Sequence, residues 1–290
     1  MQSITFDIPS GIGDVSWILS KLVHVKDREI HLRVADGWPH RTVKFLQLFP
    51  WIATAQYGVF KYEDIFAFQS FNKDLVTWEA IKELEKCPLA PNYHLERGNP
   101  LADWLPDLPT EYHYEIPVCD ADQDAAYRCL EGLKRPIMAL SAASYRGSEA
   151  WKTWEVNEWI DFISKVKELY GQFTVLLMGG FWDDLTASLA YELQKKALLH
   201  REIVGKTSIG AAVEILKHVD RYVGFSSGLG IISTVLRKPT FMLWPPHQVE
   251  LSTSWAPPKM VENREYMVSG WRNPDDVLRI YTRWMEATNG

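Results

Sequence analysis

The chain has 290 residues, 47% hydrophobic and 23% charged, with a formal net charge of −6. That length is long for one domain and suits two, and the apolar share is enough for a sizeable core, which excludes a disordered chain. The acidic balance excludes a broadly basic nucleic-acid-binding surface, although net charge is blind to a local basic groove.

In chain order, SITFDIP is a short β-rich segment running into a glycine turn. GDVSWILSKLVHV follows, with Val15, Ile18, Leu19, Leu22 and Val23 at helical spacing. EIHLRVAD reads as a second strand and HRTVKFLQLFPWI as a second helix stopped by Pro50. This β-α-β-α opening is the start of a doubly wound sheet. Residues 57–117, crowded with prolines and aromatics, read as irregular loops and short helices, and DADQDAAYRCLEGL as a helix near the end of the first half. A second series begins with the strand PIMALS. In the helix TWEVNEWIDFISKVKELYG, Trp159, Ile160, Phe162, Ile163, Val166 and Leu169 form one face, Thr153 is the candidate N-cap and Gly171 the stop. Then come strand QFTVLLMGG, helix DDLTASLAYELQKKALL, the short strand and turn REIVGKTS, helix IGAAVEILKHVD and strand RYVGFSSG. Helix LGIISTVLRK, ended by Pro239, strand PTFMLWPP and helix NPDDVLRIYTRWMEATNG complete the chain. The expected fold is α/β, with two doubly wound Rossmann-like domains joined around residues 117–136.

Ligands of open α/β sheets bind beyond the carboxyl ends of the strands, so the strand-to-helix turns are the places to look for chemistry. The first holds Gly11, Ile12 and Gly13, then Asp14 at a helix start. That carboxylate serves either as a helix cap or as a general base. The third glycine of a dinucleotide fingerprint is missing, Ser16 standing there, and the turn is not a Walker loop. The second turn has Ser141, Ala142, Ala143 and Ser144, then Arg146 and Lys152, and backbone amides with two cations suit a diphosphate. The third contributes Gly179 and Gly180, the fourth Gly205, Lys206 and Thr207. In the fifth, Ser226, Ser227, Gly228, Leu229 and Gly230 open a helix whose first N–H groups are unpaired, a natural anion site. His247, after the last sheet strand, falls at the rim of the same end.

On these residues the whole chain resembles glycosyltransferase family 9, the ADP-heptose:lipopolysaccharide heptosyltransferases, although residues 57–135 match poorly. GIGDV resembles the family's N-terminal G-x-G-D turn, AWKTWEVNEWIDFI its K-x-W segment and VLLMGG its V-x-L-x-G-G strand. VGKTSIGAAVEILKHVDRYVGFSSGLGIISTVLRKPTFMLWPP resembles its long C-terminal signature and is the most specific stretch. The resemblance implies a GT-B fold with a central cleft. It implies an acceptor domain over 1–133, a donor domain over 134–268 and a C-terminal helix, 269–290, packing back toward the first domain. It further implies Asp14 as the base that deprotonates an acceptor hydroxyl, Lys152 at the donor phosphates, the 226–230 turn holding diphosphate through backbone amides, and an inverting reaction without a metal ion. Residues Ser144, Arg146, Gly179, Gly180, Lys206 and Thr207 join the donor side, and Gly11, Ile12, Gly13 and His247 the cleft. The family's D-S-G-x-x-H is altered here: Ser226 stands at the Asp position and Ile231 at the His position. A donor other than heptose, or a different acceptor, is therefore expected.

The expected activity is glycosyl transfer from a nucleotide sugar to a hydroxyl on a glycan or lipopolysaccharide-like acceptor, with no cofactor beyond the donor. A hydroxylated base in DNA is an alternative acceptor. A non-catalytic sugar-nucleotide-binding protein and a sugar-nucleotide epimerase of the same fold are further alternatives. Cys87, Cys119 and Cys129 are odd in number and lack CxxC spacing, which speaks against a disulfide framework or zinc site. No apolar run approaches the roughly 20 residues of a membrane helix and the first residues do not read as a signal peptide, so a cytoplasmic location is expected. Of the thirteen tryptophans, Trp38, Trp151, Trp182, Trp255 and Trp271 lie in polar contexts, as sugar-stacking faces or as packing. His200 and His218 read as helical and His24, His31, His40, His94 and His113 show no metal-ligand spacing.

Overall fold

The computed structural model describes residues 3–35, 39–58, 109–143, 154–171, 173–180, 184–245, 249, 256–270 and 273–288. The chain forms two compact units, Met1–Pro117 and Val118–Gly290.

In the first unit β1 (Ser3–Ile8), β2 (Glu29–Val34) and β3 (Ile52–Tyr57) form a parallel sheet in that order. They are connected by α1 (Ile12–Leu22) and α2 (Pro39–Leu46). Every residue of α1 from Val15 to Leu22 is buried, as befits a helix apolar on most sides. Its two serines satisfy themselves on their own helix: Ser16 Oγ donates to the Ile12 carbonyl at 2.7 Å and Ser20 Oγ to the Trp17 carbonyl at 2.5 Å. Residues 109–117 strap this helix from outside. The Tyr114 hydroxyl donates to the Ser16 carbonyl and the Glu111 N–H to the Ser20 carbonyl, both at 2.8 Å. Strand β3 departs from the sequence reading, which expects no strand after Pro50. Ala53, Thr54, Gln56 and Tyr57 are all exposed, so no alternation marks the segment as a strand.

The second unit holds β4 (Ile137–Ser141), β5 (Thr174–Leu177), β6 (Arg201–Glu202), β7 (Arg221–Phe225), β8 (Thr240–Trp244) and β9 (Tyr266–Gly270). All pairs are parallel, in the order β6-β5-β4-β7-β8-β9. Strands β4, β5 and β8 are buried along their whole length, which is why they read as continuous apolar runs rather than as alternating ones. The helices are α3 (Asp120–Leu130), α4 (Val156–Tyr170), α5 (Asp184–Lys195), α6 (Ile209–His218), α7 (Gly228–Val235), α8 (Pro258–Glu262) and α9 (Pro274–Thr288). The chain builds outward from β4 through β5 to β6, then returns to the other side of β4 at β7. The carboxyl ends of β4 and β7 therefore flank a topological switch point.

Beneath the sheet lies an aromatic core. Trp159, Phe162, Phe225, Phe241, Tyr281 and Trp284 meet mostly edge to face, with centroids 5.2–6.3 Å apart, the arrangement ring quadrupoles favour. Helix α9 brings Tyr281 and Trp284 into it and packs on α4 and β9.

Several local expectations are corrected. Helix α4 starts from Glu155, not Thr153, because Glu155 and Glu158 form a reciprocal capping box. Leu169 is 57% exposed, and the partly buried Tyr170 continues the apolar face through the last turn. His200 is not helical: it precedes β6, where its Nδ1 accepts the Val175 N–H at 3.0 Å. The unexpected β9 closes the β8 edge of the sheet. Helix α3, read from sequence as the end of the first half, belongs to the second unit. It is latched to α6 by Ser208 Oγ on the Asp122 carboxylate. Arg201 holds its C-terminal carbonyls, those of Cys129 at 3.0 Å and Glu131 at 2.9 Å.

Candidate functional site

The β1–α1 turn of the first unit is built around one carboxylate. Gly11 is the extended N-cap of α1 and Ile12 its first, buried residue; Gly13 and Asp14 are half-buried in the first turn. Asp14 folds back over the helix start, and a Cβ at position 11 would overlap its Oδ2, so a larger residue there would push the carboxylate away. A negative charge in the first turn of a helix is stabilising. The turn is also held from α2, whose buried Thr42 donates its hydroxyl to the Ser10 carbonyl at 2.5 Å.

In the second unit, three turns follow the carboxyl ends of β5, β6 and β7. Gly179 and Gly180 leave β5, and the Gly205 N–H donates to the Gly179 carbonyl at 3.0 Å, drawing the β6–α6 turn alongside. Lys206 in that turn is ion-paired with Glu202 at the end of β6, whose other carboxylate oxygen accepts the Val204 N–H at 2.5 Å. The Lys206 side chain is 62% exposed, so it can reach an incoming anion, which then competes with Glu202 for it. Thr207 stands next, and Ser208 caps α6 by accepting the Ala211 N–H at 3.0 Å.

At the switch point the Ser226 N–H donates to the Leu243 carbonyl at 3.0 Å. Ser226 Oγ is buried and, among the described residues, has no hydrogen-bond partner. Ser227 is the extended N-cap of α7, but its hydroxyl does not cap the helix. It meets the Tyr222 hydroxyl instead, at 3.2 Å. Gly228 and Leu229 are half-buried and Gly230 is buried. No acidic residue occupies the first turn of α7, unlike that of α1, so the positive end of this helix is not offset by a carboxylate of its own. Such an end, at a switch point, binds anions. Ile231 is 3% exposed and packed inward, so it cannot replace a histidine that reaches a ligand.

Two close approaches shape this end of the sheet. A Cβ on Gly224 would stand 2.5 Å from the Ser141 carbonyl oxygen and 2.9 Å from the Tyr222 hydroxyl. A Cβ on Gly230 would stand 2.8 Å from Met242 Cε and 3.2 Å from the Tyr222 ring. The glycines thus leave room for a tyrosine that runs along the sheet beneath the start of α7. Burial pushes that phenol up to about 12, against hydrogen bonds from Ser227 and Ser141 that lower it, so it is a neutral hydroxyl across the ordinary pH range.

The expected residues Asp14, Gly11, Ile12 and Gly13 are thus gathered in the first unit, and Gly179, Gly180, Lys206, Thr207 and residues 226–230 in the second. Ser144, Arg146, Lys152 and His247 lie outside the described residues, as do Trp38, Trp151, Trp182, Trp255 and Trp271. Sequence reasoning missed Tyr222, which resembles any core aromatic of a strand. It also missed Glu202, whose pairing with Lys206 depends on how the turn after β6 folds back. Among the described residues no group of three or more His, Cys, Asp or Glu is placed to hold a metal ion, and no helix is long and apolar enough to cross a membrane.

The model of glycosyltransferase family 9 (heptosyltransferase) matches residues 67–267. Among solved structures, the ADP-heptose LPS heptosyltransferase II of E. coli is 13% identical, with 100% of both chains covered and a TM-score of 0.63. A family 9 glycosyl transferase from Veillonella parvula is 12% identical over 98% of this chain and 97% of that one, with a TM-score of 0.66. The E. coli heptosyltransferase WaaC with ADP is 12% identical over 99% and 98%, with a TM-score of 0.54. At such identities the likeness is one of fold, that of the GT-B glycosyltransferases. No curated protein matches the chain.

Proposed function

Since this chain belongs to glycosyltransferase family 9, we propose that it transfers a sugar from a nucleoside-diphosphate donor to a hydroxyl group of a glycan acceptor, by direct displacement with inversion and without a metal ion. The reading is carried by the α7 N-terminus at the β4/β7 switch point, with no carboxylate of its own and with a buried Ser226 Oγ that has no partner among the described residues. In the reaction the acceptor oxygen forms a bond to the anomeric carbon as the bond from that carbon to the diphosphate oxygen breaks. The acceptor proton passes to the Asp14 carboxylate, and the nucleoside diphosphate leaves with the bonding pair. Its added charge is met by the amides of residues 227–230, the Ser226 N–H being taken up by the Leu243 carbonyl, and by Lys206, with Ser144, Arg146 and Lys152 proposed for the same donor side. Gly179, Gly180 and Thr207 line the nucleotide portion, and Gly11, Ile12, Gly13 and His247 the acceptor side. Serine at 226 and inward-packed Ile231 favour a donor sugar other than heptose, because neither supplies the carboxylate or imidazole of the family pattern.

The test is Asp14→Asn. The variant keeps affinity for the nucleoside diphosphate and loses on the order of 10²–10⁴-fold in transfer rate. Turnover at the wild-type rate would remove Asp14 from the base role. Unchanged turnover in EDTA and an inverted anomeric configuration in the product, read by NMR, complete the test. Transfer only to DNA, falling steeply with salt, would replace the glycan acceptor with a nucleic acid.

A further inference from the structure

Three hydroxyl groups lie near the switch point: Ser141 at the carboxyl end of β4, Tyr222 on β7, and Ser227 at the start of α7. Ser141 is 2% and Tyr222 0% exposed, so water does not compete for the inner two. Tyr222 Oη lies 3.2 Å from Ser227 Oγ, and Ser141 is close enough to favour the ionised form of the phenol. The register explains the meeting. Gly224 pairs with Ser141 across β4 and β7, and Tyr222 lies two residues earlier on the same face. Its ring extends along that face past Gly224, where a side chain would collide with its hydroxyl, and reaches to within 3.2 Å of where a Cβ on Gly230 would stand.

We propose that Tyr222 is a positioning residue for donor binding: its hydroxyl, accepting from Ser141 Oγ, donates to Ser227 Oγ and so turns the Ser227 proton outward onto an oxygen of the donor diphosphate. The inference rests on the reading of residues 226–230 as the diphosphate site. A phosphate oxygen only accepts hydrogen bonds, so an anion at Ser227 selects one polarity for the chain, Ser141 to Tyr222 to Ser227 to ligand. Linked hydroxyls aligned in one sense polarise one another, and the anion at the end strengthens the row. A free serine N-cap ordinarily turns its oxygen back onto its own helix amides. Here Tyr222 draws the hydroxyl away, so the amides and the serine proton all remain available to the ligand. The phenol, held protonated by burial, keeps its donor at any working pH.

The experiment is a double-mutant cycle on the full chain, with ADP, UDP, GDP and CDP as calorimetric probes. Tyr222→Phe keeps the ring and removes the hydroxyl, and weakens the best-bound diphosphate roughly five- to tenfold. Ser227→Ala weakens it at least as much, and adding Tyr222→Phe to that background costs nothing further. A tyrosine that merely supports the fold would subtract the same factor in both backgrounds, and that additivity, or equal affinity of Tyr222→Phe and wild type, overturns the relay while leaving the donor site standing. A wild-type protein that binds none of the four overturns the donor-site reading and the relay with it. Should Tyr222→Phe fail to fold, the cycle of Ser141→Ala with Ser227→Ala reads the same coupling from the other end of the row.

Discussion

Replacing Gly224 by alanine tests the packing on which the switch point depends. The added methyl would stand 2.5 Å from the Ser141 carbonyl oxygen, against the roughly 3.3 Å of an ordinary carbon–oxygen contact, so one strand must yield by roughly 0.8 Å. Neither strand is free to do so. Ser141 and Gly224 are register partners in the middle of a six-stranded sheet, and β4 is also bonded to β5 and β7 to β8. Nor can Tyr222 swing aside to relieve the 2.9 Å approach of its hydroxyl, because its ring already fills the space under Gly230. Overpacking of this kind costs about 1–3 kcal/mol, and backbone rather than a flexible side chain as the obstacle places it in the upper part, about 2–3 kcal/mol. For a unit of this size that lowers the melting temperature by roughly 5–10 °C in scanning calorimetry. Affinity for nucleoside diphosphates falls in parallel, since the ends of β4 and β7 are pushed apart. A variant within about 0.5 kcal/mol of wild type would refute the close approach of these strands and the account of Tyr222 built on it.

Trp284→Ala should destabilise the second unit by about 3–5 kcal/mol in urea denaturation, because a fully buried ring packed on Phe241 and Tyr281, with Arg221 above it, leaves a cavity. Glu214 is buried on α6, which opposes its ionisation, but hydrogen bonds from Lys217 and His218 outweigh burial and hold its carboxyl below the ordinary 4.5. A depressed folded-state value stabilises the fold above pH 4.5 and ceases to do so as pH falls through that lower value. The stability gap between wild type and Glu214→Gln, measured in urea across a pH series, should therefore be open at neutral pH and close below pH 4.5; a gap that widens in acid would contradict the pairing.

Much of the fold is legible along the chain because its signals are local. Helical spacing marks α1 and α4, and the buried runs IMALS, TVLL and TFMLW stand out as short apolar stretches ended by small, glycine or proline residues. Where local signals are faint, reading fails. Strand β3 exposes four of its six side chains, β9 mixes Ser269 and Gly270 into its apolar run, and α3, placed by its sequence at the end of the first half, is held by Ser208 and Arg201 of the second unit. The candidate site divides in the same way. Glycines beside a helix start are conspicuous as residue types, so Asp14 and residues 226–230 stand out. Tyr222 does not, since nothing in RYVGF separates a buried hydroxyl with a task from a ring that fills space.

The order of apolar runs and turns along the chain was sufficient to determine alternating strands and helices and to place glycines, serines and carboxylates at strand ends, because each of those choices is made within a few residues. Which strands become neighbours is settled by packing between segments up to some eighty residues apart, such as Ser141 and Gly224. Only that association brings the Tyr222 and Ser227 hydroxyls together, buries Ser226 Oγ without a partner among the described residues, and turns Ile231 inward. Side-chain direction depends on what stands opposite, and what stands opposite is a property of the folded sheet.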